Sequence, residues 1–122
     1  DETLKNAYSA ADLFIMPNIL VEGDMEGFGI VLLEANLAST PAVASDLEGI
    51  KDVLTNGKNG YKVPVKQPKT FAETINNVLS EDSDAFGKRS REYVKDRFAW
   101  DHVTDQYVDY LKTVIDRYSK AE

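Results

Sequence analysis

The sequence has 122 residues, 43% of them apolar and 29% charged, with a net charge of −7 and no cysteine. At this length folding buries roughly two thirds of the unfolded chain's surface, enough for one core and not for two. No apolar run approaches the ~20 residues that span a bilayer, the missing cysteines exclude disulfides and thiolate metal sites, and no basic stripe offers a footprint for nucleic acid.

Residues 2–10 read as a short helix with Leu4, Ala7 and Tyr8 on one side. Leu13-Phe14-Ile15-Met16, stopped by Pro17, reads as a buried strand, and residues 17–26 as a loop holding Gly23 and three carboxylates. From Gly27 to about Ala38 the pattern is helical. Pro41-Ala42-Val43-Ala44 is a second short strand, followed by a turn at Ser45–Gly49 and one or two helical turns over Ile50–Leu54. Asn56-Gly57 and Asn59-Gly60 mark turns before a third strand, Tyr61–Val65. Strands alternating with helices imply βαβ units and a parallel sheet. Three apolar stripes at helical spacing follow. Phe71, Ile75, Val78 and Leu79 come after a start at Pro68, then Phe86, Tyr93, Val94 and Phe98, then a longer run from Val103 through Tyr107, Tyr110, Leu111, Val114 and Ile115 to Tyr118. Asp101 is the expected N-cap of the last helix, and Trp100 is read as a packing anchor.

Charge is distributed unevenly. Ten carboxylates face three lysines in residues 1–60, whereas the remainder balances eleven acidic against eleven basic groups. Either this is ordinary surface solubility, or the first half carries a carboxylate-rich cleft whose basic counterpart lies outside the chain. Glu34 favours the second reading. Its helical neighbours Ile30, Val31, Leu37 and Ala38 are all apolar, and Asn36 points away from it by about 200° at 100° per residue. A carboxylate so placed needs a partner, such as a lysine or a backbone group, or an opening onto a ligand. Glu26, Gly27 and Gly29 sit where a loop enters the same helix. Free N–H groups at a helix start attract anions such as phosphate, and glycines there either permit a turn or let a ligand approach the backbone. A carboxylate beside such a start accepts hydrogen bonds from hydroxyls, so sugars and riboses linked to phosphate are the matching ligands. His102 is the lone histidine, which leaves neither a histidine metal cluster nor a Ser-His-Asp triad, and Glu22 with Asp24 reads as a solvated loop.

Seven residues separate Glu26 from Glu34, and this spacing resembles the E-x7-E signature of retaining glycosyltransferases with the GT-B fold, particularly the large family 4. Asp12–Pro17 is similar to that family's "ADLFVLPS" strand, Thr40–Ser45 to "TPVVAS", Gly57–Val63 to "DGxNGxLV", and Phe98-Ala99-Trp100-Asp101 to "FSWE" before the final helix. The likeness runs over nearly the whole chain. Departures are Ser39 in place of a glycine after the helix, Glu48-Gly49 in place of Gly-Gly, and Asp52 in place of a glutamate.

The resemblance implies an α/β fold: the second half of a Rossmann-like domain, with a short parallel sheet of about three strands, flanking helices and a helical C-terminal end. Residues 1–122 would then be part of the C-terminal domain of a GT-B enzyme that moves a hexosyl group from a nucleoside-diphosphate sugar to an acceptor hydroxyl with retention. Glu26 would face the transferred sugar as the catalytic carboxylate. Gly27, Phe28, Gly29 and Ile30 would cradle sugar and diphosphate, and Glu34 would hold the ribose hydroxyls. Neither a metal nor a cofactor is expected beyond the nucleotide-sugar donor, and no nucleic acid is a partner. The setting would be cytoplasmic, with any membrane association peripheral at the inner face. The rival readings are a non-catalytic nucleotide-binding module and another GT-B enzyme such as a nucleotide-sugar epimerase. The chain begins at Asp1 without an initiator Met, so a fragment is expected, lacking the N-terminal acceptor domain and the family's upstream Arg and Lys. Such a fragment is expected to be inactive alone, and to dimerise or aggregate through the edge of its Leu13–Met16 strand.

Overall fold

The computed structural model describes residues 1–24 and 29–120. In chain order the elements are α1 (Glu2–Ala10), β1 (Phe14–Met16), α2 (Ile30–Leu37), β2 (Ala42–Ser45), α3 (Glu48–Lys51), β3 (Gly60–Val63), α4 (Pro68–Ser80), α5 (Ser83–Phe98) and α6 (Trp100–Ser119). Local chemistry explains several boundaries. Asp1 caps α1 by accepting the Thr3 N–H at 2.9 Å, Asp82 caps α5 by accepting from Ala85 at 3.1 Å, and Pro68 opens α4 where no N–H is needed.

The three strands form one parallel sheet in the order β1-β2-β3. Phe14 lies opposite Ala42 and Met16 opposite Ala44, while Ala42 pairs with Gly60 and Ser45 with Val63. Alternation along the strands divides the core into two layers. Ala42, Ala44 and Met16 pack with Leu32, Leu47, Ile50 and Leu54 under α2 and α3. Val43 and Val63 pack on the opposite face with Val78 of α4 and Phe86 of α5. Helices therefore lie on both faces, as a parallel sheet requires, but the cover is incomplete at β1: Ile15 is 43% exposed, so the strand expected to be buried is only partly so. Connections that return each strand in the same direction make the βαβ arrangement of half a Rossmann-like domain.

From Phe86, α5 passes beneath the sheet and then lies along α2. The passage is made at Gly87, where any Cβ would collide with the Ser39 carbonyl oxygen. Ser39 itself has φ 65°, the left-handed conformation that the family's glycine would adopt without strain. It ends α2 in a Schellman arrangement. The Ser39 N–H donates to Asn36 O at 2.9 Å and the Thr40 N–H to Ala35 O at 3.0 Å.

Three expectations are corrected. Trp100 is 84% exposed and anchors nothing among the described residues. Ala99, not Asp101, occupies the N-cap of α6; Asp101 falls in the first turn, where its charge still suits the helix start. The helical turns expected over 50–54 begin earlier, at Glu48, because Leu47 enters the core in extended form and the chain coils immediately after it. The third apolar stripe does lie on a helix, but α6 buries none of its residues, and its main packing partner among the described residues is α5. Among the described residues no helix is long and apolar enough to cross a membrane.

Candidate functional site

Because the strands are parallel, α2 runs back along the sheet and its first residue sits near the strands' carboxyl ends. Open α/β sheets bind their ligands at that edge. The N-cap of the helix is Gly29, which is buried and left-handed at φ 69°, ψ 40°, and among the described residues no side chain caps the first turn. A Cβ at Gly29 would come within 3.2 Å of Leu32 Cδ1 in a conformation L-residues rarely adopt, so the backbone favours glycine here and a side chain would also have to displace the end of Leu32. The uncapped N–H groups just beyond it carry the helix's positive end.

The faces of α2 are set by what the sheet and α5 can accommodate. Leu32, Ala35 and Asn36 turn inward and are buried, leaving Ile30, Val31, Glu34 and Leu37 exposed. The apolar neighbours of Glu34 are therefore not a core that encloses a carboxylate. They form a solvent-facing apolar surface with a single acid in it, and that surface is the reverse of what apolar spacing alone suggests. The inward register goes to a polar residue, Asn36, because it has a dedicated partner. Its Nδ2 donates to Thr40 O at 3.0 Å and Asn59 O at 2.9 Å, while its Oδ1 accepts from Asn59 Nδ2 at 2.9 Å. Asn59, also fully buried, donates further to Val53 O at 2.9 Å and accepts from the Thr55 N–H at 2.9 Å. This pair ties the back of the site-bearing helix to the turn before β3.

Glu34 finds its partner in α1. The Tyr8 hydroxyl donates to Glu34 Oε2 at 3.2 Å, rather than a lysine or a backbone group filling that role. Tyr8 is buried, its ring edge-on to Phe14 at 5.6 Å between centroids, and its carbonyl accepts from Thr40 Oγ1 at 2.6 Å. Burial, and secondarily the hydrogen bond and charge of Glu34, push the Tyr8 hydroxyl above its usual pKa of 10.0. The two side chains line a cleft of about 430 Å³ between α1 and α2, with Leu4, Lys5, Leu37 and Arg91 on its walls. A second cleft of about 410 Å³ lies by Ile15 and Pro17 against α4; it is nearly all apolar and holds no carboxylate.

Of the six residues singled out in the sequence, Gly29 and Ile30 are found at the start of α2 and Glu34 on its open face. Glu26, Gly27 and Phe28 lie outside the described residues. Glu48, which stands where the family has glycine, is highly exposed and pairs with Lys51 at 3.2 Å. Two participants escaped sequence reasoning. By spacing Tyr8 shares one apolar side with Leu4 and Ala7, yet only the tyrosine is buried, and no spacing rule connects it to a residue 26 positions away. Asn59 reads as a turn residue; the only hint of its role is an asparagine on the inward face of α2.

Residues 1–97 match the family model described as glycosyl transferases group 1. The chain is 37% identical over 121 residues to a phosphatidyl-myo-inositol mannosyltransferase of Mycobacterium leprae, covering 95% of this chain and 30% of that protein. It is 30% identical to an uncharacterized glycosyltransferase of Methanocaldococcus jannaschii, over 94% of this chain and 29% of that one. Among solved structures it superposes on sucrose-phosphate synthase from Thermosynechococcus elongatus with a TM-score of 0.73 and 28% identity, over 95% of this chain and 28% of the synthase chain. The chain thus spans under a third of the length of each of these proteins.

Proposed function

The chain belongs to the glycosyl transferases group 1 family, and from that premise we propose that it forms the donor-binding part of a retaining, nucleotide-sugar-dependent transferase. In the proposed reaction the bond between the anomeric carbon and the diphosphate oxygen breaks. An acceptor oxygen bonds to the same face of that carbon and loses its proton, and the nucleoside diphosphate departs. This chain's share of the work is positioning, together with stabilising charge that develops on the leaving group. Glu34 accepts from the vicinal hydroxyls of the donor ribose. The amides following Gly29 point toward the diphosphate, Gly27 and Phe28 extend that cradle, and Glu26 faces the hydroxyls of the transferred sugar.

The observation that carries this reading is the position of Glu34. It is an exposed carboxylate on an otherwise apolar helix face, one turn from an uncapped helix start at the ligand-binding edge of a parallel sheet, and it opens on a cleft. Among the described residues it forms no ion pair, so its acceptor capacity is not consumed by a cation. The test uses the protein as encoded, titrated with UDP, GDP and ADP and assayed with their glucose or mannose conjugates. At least one nucleotide should bind. Glu34→Ala should weaken that binding by about 1.5–3 kcal/mol, the scale of hydrogen bonds to a charged group. Glu26→Ala should depress kcat more than it raises KM, because the transferred sugar changes most in the transition state. Unaltered binding and kinetics in both variants, or failure of all three nucleotides to bind, would sink the proposal.

A further inference from the structure

Glu34 is a long, exposed side chain, and left alone it would spread over many rotamers. The structure removes that freedom from one side only. Tyr8 is fixed at three points: its ring rests against Phe14, its backbone carbonyl is held by Thr40 Oγ1, and the Ala11 N–H donates to the same carbonyl at 3.2 Å. Its hydroxyl emerges from the packed face of α1 at the wall of the cleft and donates to Oε2 of Glu34 at 3.2 Å. A tyrosine hydroxyl has one proton to give, and here it is given to this carboxylate. Among the described residues no other hydrogen bond or ion pair engages the carboxylate, which lines the cleft, so Oε1 and the second lone pair of Oε2 are left as acceptors. Two acceptor sites set side by side match a vicinal diol, which presents two O–H donors about as far apart as the two oxygens of a carboxylate.

We infer that Tyr8 is a positioning residue for the donor site: its hydroxyl holds the Glu34 carboxylate in the orientation that receives the two ribose hydroxyls. The inference rests on the donor reading of Glu34 given above. Neither Lys5 nor Arg91, the cations on the cleft walls, is within ion-pair distance of Glu34, so the neutral hydroxyl acts as the orienting group. A neutral orienter suits the purpose, because an ion pair would occupy the same oxygens that the diol requires.

The test is a double-mutant cycle on the protein as encoded, with Tyr8→Phe, Glu34→Ala and both together, titrated with whichever of UDP, GDP or ADP binds. Phenylalanine keeps the ring and its contact with Phe14, so the fold is retained and only the hydroxyl is lost. Tyr8→Phe should weaken nucleotide binding three- to tenfold, raise KM for the donor by a similar factor and leave kcat within twofold. Added to Glu34→Ala it should have no further effect, since the group it orients is gone. A second readout needs no ligand. The Tyr8 ionisation, isolated as the difference in tyrosinate absorbance between wild type and Tyr8→Phe, should move to lower pH in Glu34→Gln. Wild-type nucleotide affinity in Tyr8→Phe would overturn the positioning role, as would an equal loss in both backgrounds of the cycle. An unmoved Tyr8 ionisation in Glu34→Gln would show that the hydroxyl does not engage Glu34 and would also overturn it, whatever the nucleotides do. A shifted ionisation combined with wild-type binding in Glu34→Ala would locate the failure in the donor reading instead, and would remove the role with it.

Discussion

Asn36 and Glu34 stand two positions apart on α2, one facing the core and one facing the cleft, and their alanine variants should separate stability from function. Asn36 is wholly buried and makes three hydrogen bonds at 2.9–3.0 Å. Each is worth about 1 kcal/mol net, or ~1–3 kcal/mol where its loss strands a buried partner that is not satisfied elsewhere. The Asn59 amide keeps its bond to Val53 O, which leaves the Thr40 and Asn59 carbonyls as the stranded groups. Asn36→Ala should therefore lose roughly 3–7 kcal/mol, a large share of the ~6–18 kcal/mol expected of a chain this size. Asn36→Asp keeps shape and acceptor but turns a charged oxygen toward two carbonyls, so it should be at least as damaging. Glu34→Ala removes an exposed side chain and one bond from a hydroxyl, and should cost less than about 1 kcal/mol. Urea unfolding followed by circular dichroism measures all three. A loss below ~1 kcal/mol for Asn36→Ala, or equal losses for Asn36→Ala and Glu34→Ala, would refute the division of α2 into an anchoring face and a binding face.

Ser39→Gly should stabilise the protein by about 1 kcal/mol, because it relieves a left-handed serine at the Schellman position that ends α2. Thermal unfolding would register the gain as a rise of a few degrees, and a fall in Tm would mean that the serine side chain makes a contact worth more than the strain. The raised pKa of Tyr8 has a definite sign for stability. Folding favours the neutral hydroxyl, so its contribution is complete below the unfolded value of 10.0 and is lost as pH rises through the higher folded value. Unfolding free energy should thus fall more steeply above pH 10 in wild type than in Tyr8→Phe; parallel profiles would contradict the cause assigned to the shift.

Much of the architecture is written in short-range pattern. Pro17, Pro68 and the Asn-Gly pairs punctuate the chain, and the apolar runs between them became β1, β2 and β3 within two residues of their expected bounds. The register of α2 was less legible, since six of its eight residues are apolar and either face could have turned inward. Periodicity decides between faces only when one is polar. Here the decision falls to a long-range amide pair, Asn36 with Asn59, 23 positions apart and invisible to any local rule. Tyr8 is hidden for the same reason. Its role depends on α1 and α2 lying side by side, a consequence of β1 and β2 pairing in parallel.

The two asparagines and the tyrosine act on Glu34 from different directions. Asn36 and Asn59 fix the roll of α2 from behind by satisfying every polar atom they bury, and no buried side-chain N or O among the described residues lacks a partner. A helix held only by Leu32 and Ala35 could rotate by tens of degrees at little cost, since apolar contact has no strong directional preference. Directional bonds remove that latitude, and with the roll of the backbone fixed the remaining freedom is the carboxylate's own, which the Tyr8 hydroxyl restricts from the front. An exposed acid on a solvent-facing helix is ordinarily the least precise of groups. This one is aimed because its helix is locked through a polar back face that apolar patterning would have assigned to solvent.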